Sequence, residues 1–109
     1  MKVNEFGVPL DKNGYAPSIM GTEYGRCYLC ENSVHTERHE VFGAANRTKS
    51  KALGLWVNLC PHCHREGAYA VHKNRQMAEK LKKDAQLYAE EAYSWSHDEF
   101  RKRFGKNYW

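Results

Sequence analysis

A small α+β domain, with an arm ahead of two short strands and helices behind them, is the fold predicted for this 109-residue chain. Three features predict it. Four cysteines stand as two Cys-x-x-Cys pairs, Cys27-Tyr28-Leu29-Cys30 and Cys60-Pro61-His62-Cys63, and His64 directly follows the second. Two short runs of extended character lie between the pairs, and beyond the second pair the apolar residues change to a helical period. A chain of this length makes one domain with a limited core, so a cross-link between distant segments contributes substantially to folding.

Taken in order, residues 1–26 form an arm, because Pro9, Asn13-Gly14, Pro17 and Gly21 are turn-forming punctuation with few apolar residues between them. The cysteine-bounded core covers 27–74. Within it a strand is expected over 36–42, closed by Gly43, then a polar, basic loop over 44–51, then a second strand over 55–59 that runs into Cys60. A helical extension over 75–109 packs on this core. Met77, Leu81, Ala85, Tyr88 and Ala92 recur at helical spacing, with Lys80, Lys82, Lys83, Glu90 and Glu91 largely off that stripe, so 75–93 is an amphipathic helix. Ser96 followed by Glu99 resembles a capping box opening a last short helix through Phe100 and Phe104, ended by Gly105.

The cysteines point to a metal. Four thiolates arriving as two short loops match the tetrahedral preference of a structural zinc ion, and the 29 residues from Cys30 to Cys60 fit paired zinc knuckles better than a redox dithiol. Two disulfides, or free thiols, are the alternatives; disulfides need an oxidising compartment, and the first residues, Met1-Lys2-Val3-Asn4-Glu5-Phe6-Gly7, hold no apolar run of the kind a secretion signal uses. No stretch approaches the roughly 20 apolar residues that span a bilayer. A soluble, cytoplasmic protein without a membrane partner is expected.

The net charge of +4 is unevenly spread. Residues 1–37 carry three basic and five acidic side chains, a balance of −2, whereas 38–109 carry fourteen and eight, a balance of +6. Arg38, Arg47, Lys49 and Lys51 lie between the cysteine pairs, and Arg65, Lys73 and Arg75 follow the second. Such a surface suits a polyanion through phosphate neutralisation, while residues 80–83 read as a solvated helix face.

Three of the six histidines, His39, His64 and His72, stand where a second metal can be held. A neutral imidazole is the commonest metal ligand and the usual general base near neutral pH. Tying Cys27 and Cys30 to Cys60 and Cys63 brings the first strand beside the segment after the second pair, so His39 approaches His64. Cys27, Cys30, His39-Glu40-Val41, Leu59, Cys60, Cys63 and His64 together resemble the HNH endonucleases, in their branch with a zinc-stapled ββα-metal (His-Me finger) site. The similarity is greatest to small phage and prophage HNH proteins. It includes Ala16-Pro17-Ser18-Ile19, Phe42-Gly43, Ala45-Asn46-Arg47, Val71-His72 and the closing Phe104-Gly105-Lys106-Asn107-Tyr108, and so covers nearly the whole chain.

The resemblance implies metal-dependent hydrolysis of phosphodiester bonds in DNA, in a bacterial host cell if the chain is phage-encoded. It implies a four-cysteine zinc at Cys27, Cys30, Cys60 and Cys63, and a catalytic Mg²⁺ or Mn²⁺ at His39, His64 and His72. Aligned on Val41, His39 takes the ligand position and Glu40 the general-base position. The other register makes His39 the base and puts Arg38 where a cation must bind, which a guanidinium cannot do. Both side chains reach one site only where the strand bends or ends, and a carboxylate serves as base when its pKa is raised. Leu55 stands where the family has its middle Asn. Asn46 is preferred over Asn58 as the replacement, against a plain turn-forming role. Arg47, Lys49 and Lys51 are the expected nucleic-acid contacts. His62 reads as an exposed knuckle residue, His35 as lying near the site or in a polar turn, and His97 as the first turn of the last helix. The tryptophans and tyrosines read as core. Two alternatives stand beside the nuclease: a non-catalytic zinc-knuckle module binding nucleic acid or protein, and a nuclease active only with a recombination or DNA-packaging partner.

Overall fold

The computed structural model describes residues 2–108. Two antiparallel strands, β1 (Glu37–Glu40) and β2 (Trp56–Leu59), make the only sheet among the described residues. They are joined by a 3₁₀ turn at Ala44–Asn46 and a short helix α1 (Arg47–Ala52); after β2 come a π turn at His62–Glu66 and the helices α2 (Arg75–Tyr93) and α3 (His97–Phe104). The α+β class and both strands agree with the sequence reading, each strand being shorter than expected. The register pairs Glu37 with Leu59, Arg38 with Asn58, His39 with Val57 and Glu40 with Trp56. Directly paired residues share a face of the ribbon. Glu37 and His39 therefore lie on the face of the fully buried Val57 and Leu59, and Arg38 lies with Trp56 on the other.

The segment 44–51, expected as a loop, is mostly helical. Its polar composition hides the reason, which is tertiary. Ser50 is fully buried, and its hydroxyl accepts from Phe42 N–H at 3.1 Å and donates to the Leu55 carbonyl at 2.6 Å, closing the connection between the strands. A helix this short leaves its last carbonyls without partners inside it. Here the arm and α2 supply them: Ala16 N–H bonds the Lys51 carbonyl at 3.0 Å, the Asn4 amide bonds that of Ala52 at 2.9 Å, and the Tyr93 hydroxyl bonds that of Leu53 at 2.7 Å. The arm is thus fastened along the sheet connection, with Trp56 Nε1 donating to the Ala16 carbonyl and Phe6 stacked on Tyr93 at 4.5 Å.

Helix α2 has the predicted limits, but its buried stripe runs through Leu81, Ala85, Gln86 and Ala89, while Tyr88 and Ala92 are exposed. A hydrophobic pattern does not select Gln86. Its amide donates to Glu90 at 2.7 Å and Asn107 at 3.0 Å, and its carbonyl accepts from Tyr108 N–H at 2.7 Å, which satisfies a buried polar group completely enough to keep it inside. Ser96 caps α3 by accepting from Glu99 N–H at 3.1 Å. The Glu99 carboxylate turns to Arg103, so the box is half formed. Gly105 ends the helix at φ 85°, a left-handed conformation that favours glycine. Phe42 from the sheet connection and Phe100 and Phe104 from α3 form an aromatic centre, with Phe42–Phe104 centroids 4.7 Å apart.

Candidate metal centre

The two cysteine pairs converge. The four sulfurs lie within 4.8 Å of one another, and all four cysteines are free thiols, so the pairs are not disulfides. Cys30 Sγ and Cys60 Sγ are 3.8 Å apart, close to the roughly 3.8 Å edge of a tetrahedron whose centre lies about 2.3 Å from each sulfur. Each loop turns a main-chain N–H onto its first sulfur, Cys30 N–H to Cys27 at 3.5 Å and Cys63 N–H to Cys60 at 3.4 Å. Tyr28 N–H bonds the Asn58 carbonyl at 2.8 Å, fastening the first loop to β2. Burial pushes the Cys27 thiol up, but N–H groups of Cys30, Cys60 and Leu29 outweigh it and bring it down to about 7; burial pushes Cys63 up. The donor set and spacing fit a structural zinc ion, whose binding removes the remaining thiol protons.

Beside this cluster the histidines meet. One ring nitrogen from each of His39, His64 and His72 lies within 4.8 Å of the others, with the Nε2 atoms of His64 and His72 2.9 Å apart. Three segments supply them: the middle of β1, the π turn that also carries Cys63, and the turn before α2. His64 N–H bonds the Cys60 carbonyl at 2.9 Å, the wide turn is closed by Gly67 N–H on the His62 carbonyl at 2.9 Å, and π turns are frequent at functional sites. His72 N–H bonds the His64 carbonyl at 3.2 Å and Val71 N–H that of Cys63 at 2.9 Å, so the longer stretch from Arg65 to Val71 returns beside its start. Burial and the charges of the other two histidines hold His39 down at about 4, and burial with the charges of His64 and Arg65 lowers His72, so both are neutral near pH 7, the form that ligates. Two nitrogens 2.9 Å apart fit one ion with bonds of about 2.1 Å near a right angle, so the donor set can hold a divalent cation.

The histidines open onto a pocket of about 330 Å³ whose other walls are Arg38, Glu40, Gly43, Ala44 and Arg47. Glu40 reaches it because β1 ends there. Its carboxylate is bonded to Arg47 Nε at 2.7 Å and is largely covered, whereas the Arg47 side chain is 64% exposed. Burial pushes Glu40 up, but the bonds from Arg47 and Tyr15 prevail and hold it below the usual carboxylate range. The raised pKa that a carboxylate base requires is therefore not met. Arg38 lies over the rings of Tyr15 and Trp56, 4.2 and 4.3 Å from their centroids, and reaches the pocket from the far face of the ribbon.

Other expected site residues are placed elsewhere. The Asn46 amide donates to the Phe104 carbonyl at 3.1 Å, tying the sheet connection to the end of α3, and Asn46 does not line the pocket. Asn58 is buried in β2, and Leu55 is fully buried in the core. Lys49 bonds the Arg103 carbonyl and Lys51 lies 4.8 Å from the centre of the Tyr15 ring, so of the three expected nucleic-acid contacts Arg47 alone borders the pocket. His35 and His62 are exposed outside the pocket, and His97 Nδ1 is 2.7 Å from Glu90. A residue that motif reasoning passes over is Glu37, whose carboxylate meets His64 Nδ1 at 2.7 Å. Strand alternation was its signal, since it lies two residues before His39 and hence on the same face.

The chain matches no family model, no curated protein and no solved structure with which it was compared. Among the described residues no helix is long and apolar enough to cross a membrane. The site defines a small α+β domain with two clusters able to hold a metal ion, one of four cysteines and one of three histidines.

Proposed function

We propose that the chain is a metal-dependent endonuclease of the HNH kind, hydrolysing phosphodiester bonds in DNA. The observation that carries this reading is the convergence of His39, His64 and His72 on one point in an open pocket rimmed by two guanidinium groups. A divalent cation held by the three imidazoles supplies Lewis acidity to the scissile phosphate and stabilises the leaving oxygen. Arg47, mostly exposed at the rim, and Arg38 neutralise and orient the phosphate. Three ring nitrogens within 4.8 Å of one another support His39 as a ligand, the register in which Glu40 stands at the base position. The cysteine cluster places the two sides of this site and takes no part in the reaction.

Nicking of supercoiled plasmid by the zinc-loaded protein with Mg²⁺ or Mn²⁺ tests the proposal. Cleavage by wild type that is lost in His39→Ala and His64→Ala supports it; cleavage unchanged in both sinks the site. The low proton affinity of Glu40, bonded to Arg47, favours one second reading, a module that binds nucleic acid or a protein without cutting. Retention of DNA with no nicking by wild type in any divalent metal, with or without added recombination or packaging machinery, selects that reading. Dependence on a recombination or packaging partner belongs to the same proposal and predicts nicking only when that machinery is added.

A further inference from the structure

We propose that Glu37 is a positioning residue for the histidine centre, fixing His64 in the tautomer and ring orientation that leave its Nε2 free for a cation. The inference rests on the metal-centre reading above. Glu37 and His39 are alternate residues of β1, so one strand face delivers both a donor and the group that orients a second donor. One oxygen of Glu37 lies 2.7 Å from His64 Nδ1, and the other is bonded by the Arg65 guanidinium. His64 and Arg65 are consecutive in the π turn, so the imidazole and the guanidinium grip the two oxygens of one carboxylate. Both interacting side chains are well covered, His64 at 11% and Glu37 at 23% exposure, which limits the alternatives open to the ring.

The chemistry follows from the donor inventory. An ionised carboxylate only accepts, so the nitrogen facing it carries the proton and the opposite nitrogen keeps its lone pair. That opposite nitrogen, Nε2, points at His72 Nε2, 2.9 Å away. Among the described residues no hydrogen-bond partner falls on the second nitrogen of His39 or His72, so His64 is the ligand with a built orienting group. A carboxylate on the far nitrogen of a metal-bound histidine fixes the ring and raises its basicity, and losing such a partner typically costs about 10- to 100-fold in metal affinity or activity.

Calorimetric titration of Co²⁺ into the zinc-loaded full chain, for wild type, His64→Ala and Glu37→Gln, separates this inference from the reading beneath it. Wild type is expected to bind one Co²⁺ beyond its zinc, His64→Ala to lose that binding, and Glu37→Gln to weaken it by about 10- to 100-fold with zinc content unchanged. Wild-type affinity in Glu37→Gln, with binding lost in His64→Ala, overturns the positioning role alone. Equal binding or none in wild type and His64→Ala overturns the metal centre, and the positioning role with it. Should Glu37→Gln fail to fold, the wild-type protein still decides: imidazole ¹⁵N–¹H spectra without added Co²⁺ are expected to show His64 protonated at Nδ1. Protonation at Nε2 overturns the proposal.

Discussion

The four-cysteine and three-histidine clusters share the turn that follows β2, since Cys60, Cys63 and His64 fall within five residues, yet they are built in opposite ways. The cysteines come as two local loops, each with an N–H aimed at its own first sulfur, and two of the four, Cys27 and Cys60, are buried. The histidines come singly from three segments and meet only because the sheet, the π turn and the turn before α2 are already in place. Four donors complete a tetrahedron, and three leave positions open. A site whose donors are sequence-local helps to fold the chain, whereas a site assembled from distant segments depends on the fold. The first cluster has the properties of a staple and the second those of an open site.

The sharpest way to break this comparison is to damage each cluster in turn. A structural zinc contributes on the order of 10 kcal/mol, comparable with the whole stability of an ordinary domain. Cys60→Ala, or removal of zinc by a strong chelator, is therefore expected to abolish the cooperative thermal transition followed by circular dichroism. A transition that persists unchanged without zinc would show that the core folds unaided. His64→Ala is expected to do the reverse. Plasmid cleavage should fall by about 100-fold or more, as when one major stabiliser of the transition state is removed. Denaturant titration should show a stability loss of about 2 kcal/mol or less, with one zinc still bound.

A pH titration sharpens the same contrast in the absence of any cation beyond the zinc. His39 is held at about 4 in the fold against an ordinary value of 6.5, because burial and its two histidine neighbours oppose the charged form. Between those values the unfolded chain binds more protons than the folded one. Stability is fully present above about pH 6.5 and declines as the pH falls toward 4, by no more than about 3 kcal/mol. Loss of zinc from protonated thiols acts in the same direction, so the quantity to measure is the difference between wild type and His39→Asn in urea unfolding at pH 7 and pH 5. The wild type should lose more. An equal loss would place the pH sensitivity wholly in the cysteine cluster.

Much of this was legible in the sequence where the signal is local. The cysteine loops, the limits of α2 and the Ser96 cap of α3 each depend on residues within a few positions of one another. The donor residues of the histidine centre could also be named, because closing the cysteine pairs allows His39 to approach His64 and the family resemblance supplies His72. What could not be read depends on partners far along the chain. The helix at Arg47–Ala52 forms because Ser50 bridges Phe42 and Leu55 and because the arm satisfies its last carbonyls. Gln86 is buried because Asn107 and Tyr108 return to it. Glu40 has its proton affinity lowered by a side chain seven positions on, whose direction no strand pattern gives.

Asn46 gives the smallest effect and the finest test of where the fold ends and the site begins. As the replacement for the middle residue of an HNH motif it would orient a residue of β1. The structure instead commits its amide to the Phe104 carbonyl, the last residue of α3, 58 positions along the chain. A neutral hydrogen bond of this kind contributes about 1 kcal/mol net. Asn46→Ala is therefore expected to lower stability by about that amount in chemical denaturation. Co²⁺ affinity should hold within about twofold of wild type, since the substitution leaves all three imidazoles and the Glu37 carboxylate untouched. Cleavage should follow the affinity. A tenfold or larger fall in cleavage, with an unchanged denaturation midpoint, would move Asn46 from the scaffold into the site, and α3 would then bear on the chemistry through the same amide that now fastens it to the sheet connection.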